Sequence, residues 1–138
     1  MNQKPYVFAA YCVAGNLADV TPDQARKLTH LNIAFGIVKE NKINIDAIRR
    51  NRFYLEEIRE WNPELVITLS TGGGGAGGHG EATAPENLEG FVQSTMDAVR
   101  ELKLDGIDCD WEFPCNTGHM EEKAQHVELM KAYRRELD

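Results

Sequence analysis

Cations are scarce in this chain of 138 residues: 15 lysines and arginines stand against 22 aspartates and glutamates, a formal net charge of -7 with a pI of about 5.1. Nucleic acid and anionic membrane surfaces need a basic patch to neutralise their phosphates, so neither is expected as a partner, whereas an uncharged polymer is compatible. Cysteine is scarce too. Cys12, Cys109 and Cys115 are an odd set without CxxC spacing, which argues against a disulfide framework or a zinc site and for buried thiols. The four histidines show no metal-binding spacing; His79, His119 and His126 are expected to be solvated or capping, His30 to be structural, and no metal or cofactor is anticipated. Long apolar runs are missing, so no segment is suited to span a bilayer. Lys4 followed by YVFAAYCVAG has the outline of a short signal peptide. We take it instead as the first buried strand, because its removal would leave the sheet without a beginning.

Along the chain, apolar strand-length runs alternate with helical patterns. Pro5 to Cys12 is expected to be a strand buried on both faces, broken at Gly15 and Asn16. Thr21, Pro22 and Gln24 spell a capping box with proline at the first helical position of a brief helix. Leu31 to Val38 is a second strand, Lys39 to Lys42 a polar turn, and Ile43 and Ile45 a small excursion. Asp46 to Trp61 has the amphipathic spacing of one helix, stopped by Asn62 and Pro63. Leu65 to Ser70 is a third strand; a helix runs from about Pro85 to Leu102, and a fourth from His119 to Leu137. No hairpin signal is strong enough to interrupt the four strand-helix repeats, so the chain is expected to be one α/β domain over 1–138 with a parallel sheet and right-handed crossovers. Composition alone leaves an open doubly wound sheet and a barrel segment equally plausible.

The densest chemistry lies in Leu104 to Pro114, LDGIDCDWEFP. Strand alternation sends Asp108, Asp110 and Glu112 to one face and Ile107, Cys109 and Trp111 to the other. Alternate residues are roughly 6.6 Å apart at about 3.3 Å per residue, so the acids stand in a row. Like charges at that spacing oppose full ionisation, and at least one acid is expected to hold a proton near neutrality, as a general acid must. A solvated acidic strand edge is the plain alternative, but the interleaved residues are apolar and aspartate is a poor strand former. Asp105 has the opposite parity and is expected, with Gly106, to shape the entry to the strand.

DGIDCDWE resembles the DGxDxDWE signature of glycoside hydrolase family 18, the chitinase-like family, at Asp105, Gly106, Asp108, Asp110, Trp111 and Glu112. The resemblance implies a (β/α)8 TIM barrel with this stretch as its fourth strand, and hydrolysis of β-1,4-linked N-acetylglucosamine in chitin or chito-oligosaccharides. In this family the substrate's own N-acetyl group is the nucleophile, so two enzyme carboxylates are not divided in the usual way. By position, Glu112 resembles the acid that protonates the leaving oxygen, Asp110 the group that orients the acetamido, and Asp108 the inner carboxylate sharing a proton with Asp110. Ser70, Thr71, Gly72 and Gly73 resemble the family's SxGG motif: the hydroxyl can donate to the innermost aspartate, and the glycines let backbone pass close to a sugar. Tyr11 and Phe35 match aromatic positions lining the sugar subsite, with ordinary packing as the alternative. Phe113 stands where the family often has tyrosine, and Gly74 where it often has tryptophan. Trp111, by parity, is expected in the core between sheet and helices. Gly73, Gly75 and Gly78 also have GxGxxG spacing, but His79, Gly80 and further loop separate them from the helix, so a flexible loop over the cleft is expected rather than a dinucleotide site.

Two other functions would fit the same resemblance: a non-catalytic chitin- or glycan-binding protein, against which the presence of Glu112 counts, and an endo-β-N-acetylglucosaminidase acting on N-linked glycans. A barrel needs about 250 residues. This chain is therefore expected to be the first half of one, a piece of a longer protein with unpaired outer strands, prone to self-association and weakly active alone.

Overall fold

The computed structural model describes residues 6–116 and 118–138. Among them run five strands, β1 (Ala9–Val13), β2 (His30–Lys39), β3 (Lys42–Asn44), β4 (Val66–Gly72) and β5 (Gly106–Asp110). The helices are α1 (Pro22–Lys27), α2 (Asp46–Arg50), α3 (Arg52–Trp61), α4 (His79–Ala82), α5 (Leu88–Glu101) and α6 (Glu122–Leu137), with a 3-10 segment at Ala14–Asp19. Strands β1, β2, β4 and β5 lie side by side in that order, all parallel. Each new parallel strand is added on the same side as the last. A doubly wound sheet reverses direction partway, whereas a barrel does not, so the strand order favours the barrel over the open sheet.

Alternation along the strands divides the sheet into two faces. Leu31, Ile33, Ile67 and Leu69, none more than 2% exposed, point towards the helices, and each fully buried side chain of this kind contributes roughly 1.5–3 kcal/mol. Phe91 and Met96 of α5 and Leu129 and Tyr133 of α6 form a second apolar cluster, against which Ile107, Cys109 and Trp111 pack. Trp111 thus lies on the helix side, as its parity predicts.

Several expectations need correction. The first strand is not buried on both faces: Tyr6, Val7, Tyr11 and Val13 are each more than half exposed, and β1 is an edge strand that pairs on one side only. A hairpin does interrupt the repeats. β3 pairs antiparallel with β2 through Glu40 and Asn41, both with positive φ, the geometry of a tight two-residue turn built without glycine. The span 46–61 is two helices, since the Asn51 side chain donates to the Ala47 carbonyl oxygen at 2.9 Å and its N–H to Ile48, diverting the bonds a continuous helix would use. The last two long helices begin three residues later than expected, at Leu88 and Glu122. The capping box at Thr21 and Gln24 forms with both of its bonds.

The entry to β5 is fixed by Asp105. Its carboxylate accepts from the Ile67 N–H at 2.7 Å and from Arg59 at 2.8 Å, a structural role as expected.

Candidate active site

The carboxyl ends of β4 and β5 meet at one rim, where register sets Ser70 opposite Asp108 and Gly72 opposite Asp110. One carboxylate oxygen of Asp108, Oδ2, receives two hydroxyl donors: Ser70 at 2.7 Å and Tyr11 at 2.8 Å. A chain of bonds lies behind them. Thr68 donates to Asn32 Oδ1 at 2.7 Å, and the Asn32 side chain bonds the Tyr11 oxygen in turn. Such relays polarise one another and fix orientation. Donation to Asp108 is also the main reason the Tyr11 phenol is held above its usual value, with the Asn32 bond acting in the opposite sense. Asn32 and Thr68 were not singled out from the sequence; their signal was a polar residue on the inward parity of an otherwise apolar strand.

The SxGG glycines are required by geometry. Gly72 and Gly73 have φ of 99° and 92°. A Cβ at Gly72 would run into the Asp110 carbonyl oxygen, and one at Gly73 would come within 2.8 Å of the Phe35 ring. The Gly73 N–H donates to that same Asp110 oxygen at 2.9 Å. Phe35, half-buried, therefore packs on the turn that braces Asp110.

Strand β5 ends at Asp110, so Glu112 does not continue the strand's alternation as expected. It lies in the following loop, half-buried, where a Cβ at Gly74 would meet its Oε2 at 3.8 Å. The glycine loop and the acid are neighbours. Phe113, the next residue along, is 64% exposed. Beyond it, the Cys115 N–H donates to Glu122 Oε2 at 2.7 Å, tying the loop to the first turn of α6.

The expectation for His79 is overturned. It is 1% exposed, stacked on Trp111 with centroids 5.5 Å apart and edge-on to Phe91 at 5.9 Å. Burial lowers its pKa to about 4 despite the opposing charge of Asp110, with His126 adding to the lowering. His126 itself meets Trp111 edge-on at 5.8 Å, while His119 is solvated beside Glu121 and His30 bonds Thr29. The glycine run is also less open than expected, closing into α4 with Gly78 packed against Val38. Among the described residues no group of three His, Cys, Asp or Glu side chains could hold a metal ion, and no helix is long and apolar enough to cross a membrane.

This geometry has relatives. The class V chitinase CHIT5a of Medicago truncatula is 32% identical over 117 residues, covering 78% of this chain and 30% of that protein. An endochitinase of Brugia malayi is 41% identical over 78 residues, covering 54% of this chain and 15% of the relative. The solved structure of a glycoside hydrolase family 18 N-acetylglucosaminidase from Paenibacillus barengoltzii superposes with a TM-score of 0.90 at 38% identity, covering 96% of this chain and 41% of that one. The chain therefore spans less than half the length of each. Glycosyl hydrolases family 18 matches as a family over residues 7–138, and the chain belongs to it, carrying the N-terminal part of the family's (β/α)8 barrel.

Proposed function

We propose that the protein hydrolyses β-1,4-linked N-acetylglucosamine in chitin or chito-oligosaccharides, with retention, by a substrate-assisted route. The observation that carries this is the convergence of Tyr11 and Ser70 on Asp108 at the rim where Asp110 and the glycine loop also lie. In this mechanism the acetamido oxygen of the sugar attacks its own anomeric carbon. Glu112 gives its proton to the departing glycosidic oxygen, and an oxazolinium ion forms. Asp110 orients the acetamido and offsets the charge developing on its nitrogen, while Asp108, held by its two hydroxyl donors, shares a proton with Asp110. Glu112, now a carboxylate, takes a proton from the water that opens the ring, which restores the acid. No enzyme nucleophile is consumed.

Phe35 packs against the Gly73 turn and the exposed Tyr11 ring stands beside Asp108; an aromatic face suits the C–H side of a pyranose, and both rings are assigned to sugar contact on that ground. Phe113 is exposed and available to a bound sugar chain. The test is Glu112→Gln, with product release from chito-oligosaccharides and binding by calorimetry measured together: binding without release is expected, and release at the wild-type rate removes Glu112 from the acid role. Comparing chito-oligosaccharides with a high-mannose glycoprotein separates this activity from cleavage of N-linked glycans.

The exposed flank of β1 favours a second reading, a glycan-binding protein without turnover, because positioning from one side alone forfeits much of the rate. Oligosaccharide binding by the wild-type chain with no product formed selects it. The outer edges of β1 and β5 are unpaired among the described residues, and we propose that they pair two copies of the chain. Sedimentation at micromolar concentration tests this, and a monomer there contradicts it.

A further inference from the structure

We infer that His79 is a positioning residue for the Asp110–Glu112 segment, its ring serving as the plate that fixes Trp111 between the two acids. The inference rests on the hydrolase reading above. Trp111 is the residue that joins Asp110 to Glu112, so the orientation of its ring fixes the backbone from which both acids project. The indole is held from two directions: His79 of α4 stacks on it at 5.5 Å with an interplanar angle of 18°, and His126 of α6 meets it edge-on.

The imidazole also touches the other support of the site. A Cβ at Gly72 would come within 3.0 Å of His79 Cε1, so the turn bracing the Asp110 carbonyl rests against the same ring. Phe91 of α5 closes the pocket edge-on. Both ring nitrogens of His79 are buried with no hydrogen-bond partner. A buried imidazole without polar partners is held by its faces and edges, so its contribution here is contact with the indole.

Burial disfavours the charged form of the ring. The groups acting on its charge are Asp110 of β5, which favours protonation, and His126 of α6, which opposes it; burial outweighs both. Glu122 of α6 lies against Gly80 beside it, and Glu81 of α4 accepts from Asn41 at the surface.

The test uses the full chain in a Trp61→Phe background, where Trp111 is the single remaining indole of the two. His79→Gln removes the ring and keeps polarity; His79→Phe keeps the plate and removes the nitrogens. His79→Gln is expected to shift Trp111 emission to longer wavelength and to lower kcat on chito-oligosaccharides about 10²-fold with KM little changed, the scale of a small misplacement of reacting groups. His79→Phe is expected to match wild type in both. As pH falls through about 4, wild-type emission shifts and that of His79→Phe does not, an arm that decides the matter if His79→Gln does not fold. Unchanged emission and kcat in His79→Gln, or equal impairment in both variants, overturns the inference. Emission reads the positioning without turnover, so a wild-type chain that stacks Trp111 as described yet releases no product overturns the hydrolase reading instead.

Discussion

Asp105, at the entry to β5, and Asp108, three residues on in the middle of the strand, are held in opposite ways. At the entry, Asp105 meets a cation: Arg59 bonds it at 2.8 Å and the Ile67 N–H completes its bonding. Within the strand, Asp108 meets only neutral hydroxyls, from Tyr11 and Ser70, and no cation is paired with Asp108, Asp110 or Glu112 among the described residues. A carboxylate whose charge is matched by arginine is committed to holding the chain together. One fixed in direction by hydroxyls keeps its capacity to exchange a proton or answer a positive charge arising on a substrate.

The sharpest way to break this contrast is Glu112→Gln, which is expected to cost on the order of 10³-fold in turnover through lost proton transfer and to leave the unfolding midpoint unmoved; a change in stability with turnover intact would reverse the assignment. Acid is the next largest perturbation. An unfolded histidine titrates near 6.5 and the folded His79 near 4. Between these values the unfolded chain binds a proton that the folded chain does not, so stability falls as pH drops from about 6.5 to about 4, by on the order of 3 kcal/mol. Urea midpoints across that range should decline in wild type and flatten in His79→Phe. Asp105→Ala sharpens the comparison from the other end: a loss of about 1–2 kcal/mol in denaturant unfolding is expected, discounted because the pair is partly solvated, with activity per folded molecule retained. Ser70→Ala should cost about 1 kcal/mol in stability and roughly tenfold in kcat, as Asp108 loses its buried donor. Tyr11→Phe, whose side chain is 58% exposed, should have the smallest effect on stability, with a kcat loss no greater than that of Ser70→Ala.

Much of the rim was legible because period-two alternation is a local rule. Asp108 projects from β5 to the face where Tyr11 and Ser70 meet it, as its parity implies, Trp111 packs on the far side, and the Thr21 capping box needs only four consecutive residues. Glu112 shows where the rule stops: the strand ends two residues before it, and its place beside Gly74 is set by the loop. His79 was misjudged because nothing near it in sequence announces burial; Phe91 and Trp111, which enclose it, are 12 and 32 residues away. The hairpin at Glu40 and Asn41 escaped notice because its left-handed turn carries no glycine. Asn32 and Thr68 take their meaning only from the strand register that sets them opposite one another.

The glycine loop has a practical consequence for redesign. Gly72, Gly73 and Gly78 combine positive φ with neighbours closer than any side chain tolerates, whereas Gly74 and Gly77 are free of positive φ, with open space at Gly77 and only ordinary contact with Glu112 at Gly74. Rigid and permissive positions therefore alternate within one short segment. Side chains grown from 74 and 77 would project from an unyielding frame, giving two places at which sugar preference could be rewritten while the acids keep their stations.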